Sequence, residues 1–227
     1  MFKIRSFFLY LRSLIVFLLI GPILLLVLLI YPSGTYSLIV PFCKLMIYMF
    51  GCKINIKGKF PPNQYFVIMA NHSSFLDAFA IPTVLQGKFS AIAAEMNFKI
   101  PIYATFLKKL KVISIDRSNQ QQAIQGIIQA EKVLKSGYHI VILPEGTRTV
   151  DGKLRKFKKG GFHLAKNTKV NILPIVVNGL FNIKPKNRWV IKPGLIEINI
   201  CKPIETQNKS VNEIILETHN IFLNQLS

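Results

Sequence analysis

The longest apolar tract lies at the amino terminus. Residues Ser13 to Ile30 carry no charge and are almost all Leu, Ile, Val and Phe. As a helix these eighteen residues span about 27 Å, close to a bilayer core of roughly 30 Å. Lys3, Arg5 and Arg12 precede the tract, and Gly21-Pro22 inside it predicts a kinked or split helix. A second apolar stretch runs from Tyr36 to Phe50 and holds one charge, Lys44. A signal peptide is the rival reading of the first tract. Its length and the lack of a clear small-x-small site behind it oppose that reading.

After Gly51 the pattern changes to short apolar runs alternating with helical spacing. Lys53–Lys57 alternates as a strand does, and Tyr65–Ala70 suits a buried strand. Phe75 to Leu85 reads as helical, Phe89–Ala94 and Lys111–Ile115 as strands, with a helix from about Ile102 to Leu110 between them. Asn119 to Lys135 has helical spacing and stops at Ser136-Gly137. His139–Leu143 and Ile172–Val177 are further strands, separated by a short helix from Phe162 to Lys166. Trp189–Ile191 and Leu195–Ile200 flank Lys192-Pro193-Gly194, which predicts a hairpin, and Val211 to Leu226 is an amphipathic closing helix. Strands alternating with helices predict an α/β fold, a largely parallel sheet flanked by helices. An apolar helical hairpin over residues 1–50 would attach it to a membrane, leaving 51–227 as the body. Sites in such sheets lie at the carboxyl ends of strands.

Charge narrows the partners. The chain of 227 residues has 29 Lys and Arg against 10 Asp and Glu, a net +19. Nucleic acid, anionic lipid surfaces and phosphorylated substrates are the classes such a balance favours. No RNA-recognition or zinc-finger pattern is present, which opposes nucleic acid. Basic residues flank the apolar tract on both sides, so a hairpin or shallow insertion that keeps both sides in the cytoplasm is expected. Cys43, Cys52 and Cys201 are too few and too scattered for a disulfide framework or zinc site.

The chemistry concentrates at predicted strand ends. Asn71-His72-Ser73-Ser74-Phe75-Leu76-Asp77 directly follows one strand. On a single continuous helix His72 and Asp77 would stand about 140° apart and could not cooperate. A strand-turn-helix resolves this, with Ser74 as N-cap and Asp77 at the third helical position of a capping box. First-turn side chains point back toward the helix start, so Asp77 would reach the His72 ring and fix its tautomer. The alternative is that Asp77 only caps a helix and His72 is a solvated loop residue. No Gly-x-Ser-x-Gly elbow supplies a nucleophile, which suits a base that deprotonates a substrate hydroxyl. Pro144-Glu145-Gly146-Thr147-Arg148 ends the strand His139–Leu143. Arg148 offers planar donors for a phosphate, Gly146 permits a tight turn, and Glu145 either orients Arg148 or accepts a hydroxyl. Arg117, after Ile115-Asp116, is a second phosphate candidate, and the basic run Lys153 to Lys159, with Lys158 in it, is a third. Each basic group alone is also what a solvated loop carries.

In these four blocks the chain resembles the glycerolipid acyltransferase family, in particular its 1-acyl-glycerol-3-phosphate acyltransferases. His72 and Asp77 fit the family's His-x4-Asp motif, Ile113 to Arg117 its second block, Pro144 to Arg148 its Glu-Gly-Thr-Arg block, and Leu173 to Val177 its proline-containing fourth block. The match is collinear from about residue 53 to 178. One departure is Ala104, where the family often has Gly after Pro101. The resemblance implies His72 as general base with Asp77 as its partner, and Arg117, Glu145, Gly146, Thr147, Arg148 and Lys158 as substrate-binding residues. It implies acyl-CoA or acyl carrier protein as co-substrate, a lysophospholipid acceptor, membrane phospholipid as surroundings, and no metal or further cofactor. It implies the bacterial inner membrane with the catalytic body toward the cytoplasm. Two rivals stay open: the same reaction on another acceptor such as glycerol-3-phosphate, and a noncatalytic protein that binds anionic lipid.

Overall fold

A computed structural model describes residues 2–116 and 119–226. The chain opens with two helices, α1 (Phe2–Ile30) and α2 (Pro32–Met49), which pack on each other as a hairpin. α1 runs through Gly21-Pro22 without a break. It is long and apolar enough to cross a membrane, by length and composition, and most of it stands exposed. α2 differs. Its Ile39, Cys43, Met46 and Ile47 are buried and join the main hydrophobic core.

The body is a seven-stranded sheet. In chain order its elements are β1 (Lys53–Lys57), β2 (Val67–Ala70), α3 (Asp77–Ala80), β3 (Phe89–Ala94), α4 (Pro101–Lys109), β4 (Ile113–Ile115), α5 (Gln120–Lys135), β5 (His139–Ile142), α6 (Gly160–Thr168), β6 (Ile172–Asn178), α7 (Leu180–Ile183), β7 (Leu195–Ile200) and α8 (Val211–Gln225). The strand order is β1-β7-β6-β2-β5-β3-β4. β6, β2, β5, β3 and β4 run parallel, while β7 is antiparallel to β6 and carries β1 parallel to itself. The largely parallel α/β expectation therefore holds.

Period two decides which side chain goes where. Ile68 and Ala70 of β2, Val141 of β5 and Leu173, Ile175 and Val177 of β6 face the layer built from α2 and α3. Val67, Met69, Ile140, Ile142, Ile172 and Val176 face α5, α6 and α8. β2, β5 and β6 are buried throughout, as expected for strands covered on both faces. Helix ends follow their local sequence. Asn119 caps α5 by accepting from the amides of Gln121 and Gln122, and Ser210 with Glu213 forms a capping box on α8.

The predicted hairpin at Trp189–Ile200 does not form. Residues 189–191 belong to no strand, and β7 pairs with β1 and β6 instead. α1 claims the segment: Ser6 Oγ, whose proton goes to the Phe2 carbonyl at 2.7 Å, accepts from the Ile191 amide at 3.0 Å, while Tyr10 Oη donates to the Trp189 carbonyl at 2.7 Å. A two-stranded ribbon is marginal alone, and the bonds it needs are satisfied better by the helix and the open sheet edge.

Candidate active site

β2 lies between β6 and β5 with all three parallel, so their carboxyl ends open on one edge. The segments that follow, Asn71–Asp77, Leu143–Thr149 and Asn178–Gly179, meet there. Residues far apart in the chain are thus brought within hydrogen-bonding distance by strand order.

His72 and Asp77 touch. His72 Nδ1 lies 2.7 Å from Asp77 Oδ2, with the two side chains 15% and 2% exposed. A carboxylate only accepts, so Nδ1 carries the proton and Nε2 presents its lone pair. Among the described residues nothing hydrogen-bonds Nε2. The local conformation differs from the capping box in the sequence reading. α3 begins at Asp77 itself, and Asp77 Oδ2 also accepts from the amides of Ser73 and Ser74, each at 3.0 Å. The Ser74 hydroxyl turns away to donate to the Lys184 carbonyl at 2.7 Å. The carboxylate thus gathers the whole turn and the ring onto one oxygen.

The backbone of His72 is held from both sides. Its amide donates to Glu145 Oε1 at 2.7 Å, and its carbonyl accepts from the Thr149 amide at 2.9 Å. Glu145 Oε2 accepts from the Arg155 amide at 2.9 Å. Glu145 is buried, and burial raises its carboxyl above the usual range against the pull of those two amides. Glu145 does not pair with Arg148; it ties the His72 turn to the basic loop. Asn71 does similar work beside it, donating to the Val177 carbonyl at 2.9 Å and accepting from the Val177 amide at 2.7 Å.

The other expected residues divide. Gly146 has φ 72°, a left-handed turn that sets Thr147 and Arg148 half-buried on the same edge. Lys158 is exposed, its stem lies over Gly146, and its amide donates to the Pro144 carbonyl at 2.7 Å. Phe157, buried in the second core, anchors that basic run. Arg117 lies outside the described residues. β4, which precedes it, stands three strands from β2, about 14 Å away at ordinary strand spacing. A cavity opens beside His72, lined in part by Ser73, Thr149, Lys153, Asn178 and Asn182.

Two residues that sequence reading passed over belong to this edge. Asn71 sat inside a quoted motif without a role. Lys184, at the end of α7, is buried, and its pKa is lowered first by burial and then by the nearby charges of Arg148 and Arg188. No motif marks it.

The comparisons with known proteins agree with one another. A family model described as Acyltransferase matches residues 52–178. A 1-acyl-sn-glycerol-3-phosphate acyltransferase of Cocos nucifera is 29% identical over 187 residues, covering 81% of this chain and 61% of that protein. The human 1-acyl-sn-glycerol-3-phosphate acyltransferase alpha is 29% identical over 170 residues, 74% of this chain and 60% of that one. This chain thus spans about three fifths of the length of these curated relatives. The crystal structure of the 1-acyl-sn-glycerophosphate (LPA) acyltransferase PlsC from Thermotoga maritima superposes with a TM-score of 0.87 at 25% identity, covering 99% of this chain and 95% of that one.

Proposed function

This chain belongs to the Acyltransferase family, and from that premise and the geometry of the site we propose that it moves a fatty acyl group from a thioester to the free hydroxyl of 1-acyl-glycerol-3-phosphate, giving phosphatidic acid. The observation that carries the proposal is the 2.7 Å contact between His72 Nδ1 and Asp77 Oδ2, which leaves Nε2 free to take a proton.

The proposed step is direct. His72 Nε2 removes the proton of the acceptor hydroxyl as its oxygen attacks the thioester carbonyl carbon. Asp77 stabilises the imidazolium that forms, and general base assistance of this kind contributes roughly 10²–10⁴-fold. The tetrahedral intermediate expels sulfur, the ester bond remains, and Nε2–H returns its proton to the leaving thiolate. The donor is acyl-CoA or acyl carrier protein, and the proposed transfer draws on no metal or other cofactor. Arg148 grips the acceptor phosphate and so sets the hydroxyl beside His72, where positioning contributes more than proton transfer alone. Gly146, Thr147 and Lys158 shape that subsite, Arg117 adds to it, and Glu145 acts by holding the His72 backbone. α1 keeps the protein at the membrane with the catalytic body toward the cytoplasm.

The test uses purified full-length protein in detergent, labelled thioester donors and a panel of lyso-acceptors and glycerol-3-phosphate. Wild type should esterify lysophosphatidic acid, and His72→Ala should fold and make no product. Near-normal turnover by His72→Ala would remove the mechanism, and a preference for another panel member would reassign the acceptor.

A further inference from the structure

We propose that Lys184 is a second cation of the phosphate subsite, acting with Arg148 on a phosphate of one of the two substrates. The proposal rests on the acyl-transfer reading of the site. Lys184 is fixed to the catalytic turn, because its carbonyl accepts the Ser74 hydroxyl two residues beyond His72. The residue is 7% exposed. Its Nζ donates to the neighbouring Pro185 carbonyl at 2.9 Å and lies 5.7 Å from the centre of the Phe75 ring. An ammonium has three donors, and these contacts engage one of them.

The surrounding charges have the wrong sign for a structural lysine. Arg148 and Arg188 both repel the ammonium. The ion pairs among the described residues join Lys57 to Glu197, His72 to Asp77, Lys135 to Glu131 and Lys209 to Glu217, and none includes Lys184, Arg148 or Arg188. Arg188 is occupied by the carbonyls of Asn182, Ile183 and Val190. That leaves Lys184 and Arg148 as neighbouring cations beside the catalytic turn, both outside every ion pair among the described residues. Burying an ammonium beside a guanidinium is unfavourable by itself. A phosphate dianion between them reverses the sign of that interaction and forms charge-assisted hydrogen bonds. The ligand chemistry is a phosphate ester, carried either by the acceptor headgroup or by the donor's carrier.

Wild type, Lys184→Met and Lys184→Arg are compared as full-length protein in detergent, with the exposed Lys202→Met as control. Thermal unfolding is read in inorganic phosphate against chloride at equal ionic strength. A phosphate-specific rise in Tm is expected for wild type, Lys184→Arg and Lys202→Met, and not for Lys184→Met. No specific rise in wild type, or an equal one in Lys184→Met, overturns the proposal. In rate assays Lys184→Met should raise one KM by about tenfold or more with kcat changed by less than about threefold, and Lys184→Arg should restore it. A rise for the acceptor alone assigns its headgroup, and a rise for the donor alone assigns its carrier. Unchanged values for both overturn the proposal although acyl transfer stands. A wild type without acyl transfer defeats the functional reading instead, and phosphate protection then decides the clamp. If Lys184→Met does not fold, Lys184→Gln, which keeps an N–H for the Pro185 carbonyl, replaces it.

Discussion

Asp77→Asn separates the charge of Asp77 from its shape. Asp77 Oδ2 accepts from the His72 ring and the amides of Ser73 and Ser74, while Oδ1 is buried with no hydrogen-bond partner among the described residues. An Asn carbonyl at the Oδ2 position keeps all three bonds and the His72 tautomer. Its amide nitrogen then sits where Oδ1 was, and an unpaired buried donor costs about 1–3 kcal/mol of stability. What disappears is the attraction between carboxylate and imidazolium, which exists only once His72 has taken the proton. The Nδ1–Oδ2 distance is 2.7 Å and both side chains are largely withdrawn from water. Taking the two charge centres about 4 Å apart with an effective dielectric near 20, the attraction is about 4 kcal/mol. At 1.36 kcal/mol per tenfold, kcat should fall by about 10³. Neither KM should move, because the ground states do not contain the imidazolium. The assay is initial rate against both substrates in mixed micelles, with circular dichroism confirming the fold. A variant within about tenfold of wild-type kcat, or one whose loss lies entirely in KM, refutes the reasoning.

Four further outcomes are expected. Arg148→Ala should raise the acceptor KM with a smaller change in kcat, and steady-state kinetics over an acceptor series checks this. Asn71→Ala strands the buried amide and carbonyl of Val177, each worth about 1–3 kcal/mol, so urea denaturation should show a loss of about 2–6 kcal/mol. Gly179→Ala adds a Cβ that collides with the Leu195 carbonyl oxygen at φ 89°, and its Tm should drop by more than the roughly 2–4 °C that 1 kcal/mol represents in a chain of this size. His139 is buried against Phe60 and Phe66, accepts from the Phe66 amide and is pushed down to about 4, first by burial. Between pH 6.5 and 4 the unfolded chain binds a proton that the folded chain refuses. Stability from this residue is therefore complete above about 6.5 and falls by up to about 3 kcal/mol as pH drops to 4. Urea midpoints across that range should flatten in His139→Gln, and an unchanged slope in the variant would refute the assignment.

Much of the fold was legible because it is written in local pattern. The continuous apolar runs Val67–Ala70 and Ile172–Val177 needed no tertiary information, and neither did the caps Asn119 and Ser210. The His72–Asp77 pair was legible from spacing once a strand end was recognised, although the turn geometry was not. Ser74 and Asp77 carry the same spacing as the true capping box at Ser210 and Glu213, and only the nearby ring and the Lys184 carbonyl make them behave differently. Asn71 with Val177, and Lys184 with Ser74, are separated by more than a hundred residues and join through strand order. The reversed edge strands were hidden for the same reason. Which partner β7 chooses depends on an open edge and on α1 drawing Trp189 and Ile191 away.

The anchoring of α1 to the body has a consequence for how lipid substrates would be met. Ser6, Tyr10 and Arg12 bond to Ile191, Trp189 and the end of α2, so no slack tether separates the apolar rod from the sheet. In a bilayer, a 29-residue helix about 43 Å long would work as a depth gauge. Whatever immersion its greasy surface settled at, the mouth beside His72 would be carried to one altitude over the bilayer plane. Acceptors would arrive by lateral diffusion within a thin slab, and lengthening or shortening the rod by a turn would shift that altitude without touching a single catalytic atom.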